Sequence, residues 1–166
     1  MQYEILVDRT ERPVKCSILP LHYRGDFRII RFDRRREIPA LAGNLLLHPD
    51  GTPLSEHRAR GAARAPMLSA IDCNWRRLAV ITARIAPPLP DLVSIPDGFQ
   101  TAYRRRNQRD LDPPAGLATI EALFIAAAFL GIWDETLLCE YRPAREFMEI
   151  NSAAFRRYGL SPLPSS

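Results

Sequence analysis

Several patterns that mark common protein classes are missing from this chain of 166 residues. Its three cysteines form no Cys-x-x-Cys pair and its three histidines are scattered, so we expect neither a disulfide scaffold nor a metal site. The longest apolar run, from Ala122 to Trp133, is shorter than the ~18 residues of a membrane span, and we expect no membrane partner. The N-terminus shows no basic segment followed by an apolar one, which predicts a cytoplasmic location.

Glycine-containing signature motifs of common enzyme classes are absent as well. The sequence contains no P-loop, no Gly-x-Gly-x-x-Gly and no Gly-x-Ser-x-Gly. These absences argue against nucleotide hydrolases, ordinary Rossmann enzymes and α/β hydrolases. If a nucleotide-like cofactor binds to this chain, a glycine-rich turn does not hold it.

Lysine is nearly absent, and arginine carries the positive charge. Lys15 is the one lysine among 23 basic residues. The chain up to Arg109 has 19 basic and 11 acidic residues, whereas the rest has 4 basic and 8 acidic residues. Because the arginine fork binds phosphates at two points and stacks on bases, this imbalance predicts RNA as a partner. A GC-rich genome could also produce the arginine bias, but the cluster of Arg104, Arg105, Arg106 and Arg109 favours RNA.

The hydrophobic pattern alternates between strands and helices, which predicts a single α/β domain. The predicted strands are residues 2–7, 27–32, 45–47 and 67–72. The predicted helices are residues 53–64, a helix that Asn74 caps and that reaches Ile85, residues 119–130 and residues 143–158. Repeated prolines predict an irregular stretch at residues 86–115, with at most a short piece of helix near Tyr103, and such a stretch often lines a ligand site.

The segment Ile71-Asp72-Cys73-Asn74-Trp75 stands where a predicted strand ends and a helix begins. In open α/β sheets, ligands bind just beyond the carboxyl ends of the strands, which places Asp72 beside a ligand. The alternative is purely structural: Asp72 caps the helix and Trp75 fills the core. The residues of this segment alone leave both interpretations open.

The same segment carries a family resemblance. Asp72-Cys73-Asn74-Trp75 resembles the Asp-Cys-Ser-Trp hallmark of the small-subunit ribosomal RNA aminocarboxypropyltransferases, which move the 3-amino-3-carboxypropyl group of S-adenosylmethionine onto a modified uridine. Five further motifs of that family are similar, in the same order, to segments between about residue 5 and residue 159. They are Pro13-Val14-Lys15-Cys16-Ser17, Leu47-His48-Pro49-Asp50-Gly51, Leu89-Pro90-Asp91-Leu92, residues 117–123, and the C-terminal Phe147, Asn151 and Tyr158.

The chain departs from the family between Ser94 and Pro114, where it is longer and richer in arginine. Residues 101–106 and 118–121 look more like the related DTW-domain enzymes, which place the same group on transfer RNA uridines. Ala115 also stands where the family tends to have an aromatic residue near the cofactor. These departures keep a transfer RNA uridine as an alternative acceptor.

The resemblance implies an α/β, SPOUT-like domain with a C-terminal trefoil knot, and we expect a mixed sheet and a helical C-terminal third. Residues 1–66 would form an N-terminal α/β part, residues 67–159 the knotted part that binds S-adenosylmethionine, and residues 160–166 a loose tail. The parts would make one compact unit, and the family resemblance favours a monomer.

The resemblance also implies a set of site residues, with S-adenosylmethionine as co-substrate and no metal. Our hypothesis is that Trp75 packs against the methyl and sulfur side of the sulfonium, and that Asp72 either binds the amino group of the transferred chain or accepts the N3 proton of uridine. The expected cofactor-binding residues are Ser17, Ile71, Asp72, Trp75, Leu89, Ala115, Leu117 and Thr119. The expected RNA-binding residues are Arg76, Arg77, Tyr103, Arg104, Arg105, Arg106 and Arg109.

Two other functions remain open at this point. A methyltransferase of the same broad fold would release adenosylhomocysteine instead of methylthioadenosine. A non-catalytic RNA-binding factor of ribosome assembly would release neither product. The favoured expectation is an aminocarboxypropyltransferase that acts on structured RNA, most simply small-subunit ribosomal RNA or a pre-ribosome.

Overall fold

The computed structural model describes residues 1–9, 16–33, 37–59, 67–103 and 116–160. The strands are β1 (Gln2–Asp8), β2 (Phe27–Phe32), β3 (Leu45–Pro53), β4 (Met67–Asp72) and β5 (Asp91–Ser94). The helices are α1 (Leu54–Ala59), α2 (Leu78–Thr82), α3 (Thr119–Phe129), α4 (Ala144–Ile150) and α5 (Ser152–Arg157), and 3₁₀ turns cover Leu19–Leu21, Trp75–Arg77 and Glu135–Leu138. The predicted α/β class is therefore confirmed.

The strands form one sheet in the order β2-β1-β4-β3-β5, and every pairing between these neighbours is parallel. The prediction of a mixed sheet is therefore wrong. The central strand of the sheet, β4, buries Leu68 and Ala70 on one face and Ile71 on the other. Burial on both faces is typical of parallel sheets, which are covered on both sides.

Strand β5 lies within the stretch for which the sequence predicts irregular structure, so that prediction is wrong for residues 91–94. Pro90 comes directly before the strand. Because β5 is an edge strand, one of its sides needs no ladder partner, and prolines next to such a strand are tolerated.

The sheet separates two hydrophobic clusters. Ile5 and Val7 of β1 point into the larger one, which also contains the buried side chains of α3, while Leu6 points into the smaller one beneath α2. This alternation follows from the two-residue period of a strand. Most of α3 is buried, as its apolar sequence predicts. Among the described residues, no helix is long and apolar enough to cross a bilayer.

The C-terminal helix predicted at residues 143–158 is divided into α4 and α5 at Asn151. The Asn151 side chain is buried, donates to the carbonyl groups of Phe147 (2.9 Å) and Gln100 (2.8 Å), and accepts from the Gln100 N–H (2.7 Å). These bonds tie the helical break to the chain after β5.

The chain after α5 does not leave the core at once. Gly159 adopts a φ of 61° and ends the helix as predicted. Leu160 is then buried in the larger cluster, so the prediction of a loose tail is wrong for this residue. Residues 161–166 lie outside the described part of the chain.

The end of β3 bulges where it pairs with β5. Leu47 and Thr52 both lie in register with Val93, so the residues between them protrude at the carboxyl end of the strand. Gly51 belongs to this bulge, and its carbonyl accepts from the Ser94 hydroxyl (2.9 Å). A Cβ atom on Gly51 would lie 2.6 Å from the Leu92 carbonyl carbon and would also clash with the Val93 nitrogen.

We predict that Gly51→Ala lowers the free energy of unfolding by about 1–3 kcal/mol, because backbone atoms of β5 block the added methyl group. Denaturant unfolding measures the change. Gly25→Ala is the matched control, since a Cβ atom there meets nothing within 4 Å. Equal stabilities of the two variants would contradict the close approach of β3 and β5.

Candidate functional site

A cavity of about 590 Å³ opens beyond the carboxyl ends of β3, β4 and β5. Its volume lies in the range of small-molecule sites, and ligands of open α/β sheets bind in this position. Four of the predicted cofactor-binding residues line it: Ile71, Trp75, Leu117 and Thr119.

Trp75 follows β4 and opens the 3₁₀ turn that leads into α2. Asn74 caps this turn, since its side-chain oxygen accepts from the Arg76 N–H (3.0 Å). The Trp75 side chain is half-buried, contacts the smaller hydrophobic cluster and lines the cavity. The cap is thus Asn74 and not Asp72, so the purely structural alternative does not account for Asp72.

Asp72 stands at the end of β4, and both of its carboxylate oxygens accept hydrogen bonds. The Thr119 hydroxyl donates to Oδ1 (2.7 Å), and the Cys16 thiol donates to Oδ2 (2.8 Å). Burial, together with the neighbouring negative charge of Asp72, raises the pKa of the Cys16 thiol to about 12, so the thiol keeps its proton. Asp72 is not among the described residues that line the cavity, whereas its partner Thr119 is.

A second carboxylate fixes the start of α3. Glu121 is fully buried and accepts from the Thr101 hydroxyl (2.7 Å), the Tyr141 hydroxyl (2.7 Å) and the backbone N–H groups of Ala102 (2.8 Å) and Ala118 (2.7 Å). Burial and this carboxylate raise the pKa of Tyr141, which therefore remains a donor. Four donors compensate the burial of the charge. The Ala118 bond holds the backbone between Leu117 and Thr119 in the cavity wall.

The remaining predicted cofactor-binding residues that the structure describes do not line the cavity. Ser17 follows Cys16 but is not among the described lining residues, and Leu89 is 48% exposed and also does not line the cavity. Ala115 lies outside the described residues.

The predicted RNA-binding residues have different surroundings. Arg76 is exposed, whereas Arg77 forms an ion pair with the buried carboxylate of Asp8 at the end of β1. Tyr103 is half-buried and packs against the larger cluster. The positions of Arg104, Arg105, Arg106 and Arg109 lie outside the described residues.

Part of the cavity wall was missed by the analysis of the sequence. Phe99 and Tyr158 stack with ring centroids 5.8 Å apart, and the Tyr158 hydroxyl donates to the Asp97 carbonyl (3.0 Å). Asp97 and Gly98 form a turn, with Gly98 at a φ of 100°. The Pro96-Asp97-Gly98 sequence is a turn signal, but nothing local indicates that the turn meets the end of α5.

Within residues 1–9, 16–33, 37–59, 67–103 and 116–160, no group of three His, Cys, Asp or Glu side chains could hold a metal ion.

Comparisons with known proteins bear on this site. No protein-family model matches the sequence, and no curated protein matches it. Among solved structures, the fold is similar to that of the SAM-dependent rRNA:acp-transferase Tsr3 from Vulcanisaeta distributa. The TM-score is 0.67 at 25% sequence identity, and the match covers 95% of this chain and 82% of the other. This likeness supports the family resemblance that the sequence motifs carry.

The Cys16 pKa makes stability depend on pH. Its thiol has an ordinary pKa of 9.0 when the chain is unfolded and about 12 in the fold. Above the lower value the unfolded chain releases a proton that the folded chain retains, so stability falls as pH rises. We predict that this thiol alone lowers the free energy of unfolding by about 1.4 kcal/mol for each pH unit between the two pKa values.

Denaturant unfolding at pH 8 and pH 10 measures this contribution. Cys16→Ser keeps a hydroxyl donor for Asp72 without the titration, so it should lose less stability between the two pH values than the unaltered protein. Cys139→Ser is the control, because Cys139 is exposed. An identical pH dependence in all three proteins would contradict a buried Cys16 thiol whose pKa is raised in the fold.

Proposed function

We propose that this protein transfers the 3-amino-3-carboxypropyl group of S-adenosylmethionine to a uridine or pseudouridine of ribosomal RNA. The observation that carries the proposal is the indole of Trp75, from an Asp-Cys-Asn-Trp motif, in the wall of a cavity at the carboxyl ends of parallel strands. The likeness to a SAM-dependent rRNA:acp-transferase supports it independently. Neither argument depends on a glycine-rich phosphate motif, which the chain lacks.

The proposed reaction is a single displacement. A ring nitrogen of the acceptor base attacks the carbon next to sulfur in the aminocarboxypropyl chain and forms a C–N bond. The C–S bond breaks, sulfur keeps the electron pair, and methylthioadenosine leaves. The proton of the attacked nitrogen passes to a base or to solvent.

Orientation decides which of the three sulfonium carbons reacts, because all three are electrophilic. In this proposal Trp75 packs against the methyl group and sulfur. There the indole shields the methyl carbon and offers its π face to the positive charge. Apolar groups such as Ile71 and Leu117 contact the adenosine, which agrees with their places in the cavity wall.

The geometry around Asp72 supports a part in holding the transferred chain, through Thr119, and not a part as the base. Both carboxylate oxygens already accept hydrogen bonds, and the Thr119 hydroxyl stands between Asp72 and the cavity. Because the Thr119 hydroxyl already donates its hydrogen bond to Asp72, its oxygen can only accept a hydrogen bond from a ligand. We assign to Thr119, held by Asp72, the ammonium group of the transferred chain.

We infer a SPOUT-like knot in residues 67–159, in which the segments after β4 and before α3 hold the co-substrate. The Asp72–Thr119 bond brings these two segments together at the cavity, which supports their joint part in binding. We also propose that the protein is a monomer that acts in the cytoplasm on small-subunit RNA. Its phosphate contacts would come from Arg76 and from Arg104, Arg105, Arg106 and Arg109. Arg77 is left out of this surface because it pairs with Asp8.

The test is the identity of the nucleoside product. The protein is incubated with S-adenosylmethionine and small-subunit ribosomal RNA, and the small molecules are separated and weighed by mass spectrometry. We predict methylthioadenosine in an amount equal to that of the modified uridine. Adenosylhomocysteine would identify a methyltransferase, and the absence of both products would leave a non-catalytic RNA-binding factor. Transfer RNA as a parallel substrate distinguishes the two acceptors.

The role of Trp75 has its own test, since the chain has two tryptophans. In Trp133→Phe, Trp75 is the only indole, and we predict that its fluorescence changes on addition of S-adenosylmethionine. In Trp75→Phe, the fluorescence of Trp133 should not respond. Trp75→Ala should weaken binding at least about tenfold, the equivalent of about 1.4 kcal/mol. Unchanged affinity of Trp75→Ala would remove Trp75 from the site.

A further inference from the structure

Arg157, the last residue of α5, stands beside two residues of the cavity wall. Its guanidinium carbon lies 5.4 Å from the centre of the Tyr158 ring. A Cβ atom on Gly98 would lie 3.7 Å from its Nη1 atom. Both Tyr158 and Gly98 line the cavity, while Arg157 itself is exposed. Its charge is therefore at the rim of the cavity, where a ligand in solvent can reach it.

The surface beneath this guanidinium is rigid. The Tyr158 ring stacks on Phe99 with an angle of 14° between the ring planes, and its hydroxyl donates to the Asp97 carbonyl (3.0 Å). Contact with an aromatic face limits the positions of an arginine fork but leaves its N–H groups free to donate. Within the described residues, the Tyr158 ring positions Arg157 without using its N–H donors.

Three other arginines of the described chain use their guanidinium groups within the protein. Arg24, Arg77 and Arg145 each form an ion pair with a carboxylate. Arg157 forms no ion pair with any residue that the structure describes. Glu56 and Asp97 also line the cavity, so the wall as a whole is not basic. An anionic ligand would meet Arg157 from the solvent side of the rim.

We infer that Arg157, supported by Tyr158, binds a phosphate group of the acceptor RNA next to the base that enters the cavity. This inference rests on the proposed function, which requires an RNA strand at the mouth of the cavity. A planar fork with free donors suits the two oxygens of a phosphodiester. The contact fixes the position of the strand and carries no sequence information of its own.

The experiment measures the binding of labelled small-subunit RNA at several salt concentrations. Arg157→Gln should weaken binding severalfold at low salt and reduce the slope of log affinity against log salt by about 0.7–0.9, the value for one lost phosphate contact. Arg157→Lys keeps the charge and should restore most of the slope. Arg145→Gln is the matched control, because this exposed arginine is paired with Glu149 and should leave the slope unchanged.

Three results would overturn the inference. The first is an affinity and slope of Arg157→Gln equal to those of the unaltered protein, and the second is an equal loss in Arg145→Gln. The third is a loss of S-adenosylmethionine affinity without a change in slope, which would assign Arg157 to the carboxylate of the co-substrate. If no methylthioadenosine forms but Arg157→Gln still lowers the slope, the proposed reaction fails and the phosphate contact stands. If methylthioadenosine forms and the slope of Arg157→Gln is unchanged, the proposed reaction stands and the phosphate contact fails.

Discussion

The carboxylate of Asp72 joins three parts of the chain that are far apart in sequence. It ends β4, accepts the Cys16 thiol from the N-terminal region and accepts the Thr119 hydroxyl from the start of α3. The wall of the cavity depends on this meeting point, because Trp75 follows Asp72 by three residues and Thr119 itself lines the cavity. The two donors, one on each carboxylate oxygen, fix the orientation of this side chain.

Hydrogen bonds also hold two fully buried carboxylates elsewhere in the fold. Glu121 accepts four hydrogen bonds at the start of α3, and Glu4 of β1 accepts from Arg28, Ser69 and the backbone of residues 42 and 43. Each one fixes irregular backbone against a regular element, which the apolar core cannot do because it has no directional bonds. The cavity can therefore have a fixed shape although loops form much of its wall.

Local pattern in the sequence predicts β1, β2, β4 and α3, since their hydrophobic runs are strong and bounded by turns or caps. The place of Trp75 at a ligand site is implied by the family resemblance of the motif after β4 and not by the local pattern alone. The rest depends on contacts between distant residues. Nothing in the sequence near Asn151 shows that a contact with Gln100 will divide the last helix. Nothing near Arg77 shows that Asp8 will bind it. The prolines around the short edge strand β5 mask its strand pattern.

The central claim is that this cavity holds S-adenosylmethionine with its methyl group against Trp75 and its longest arm directed to the acceptor. A crystal structure of the complex tests that claim most directly. We predict that the adenosine lies between the ends of β3, β4 and β5, the methyl group on the indole face and the ammonium group at the Thr119 hydroxyl. A ligand outside this cavity, or a methyl group that points to its open mouth, would contradict it.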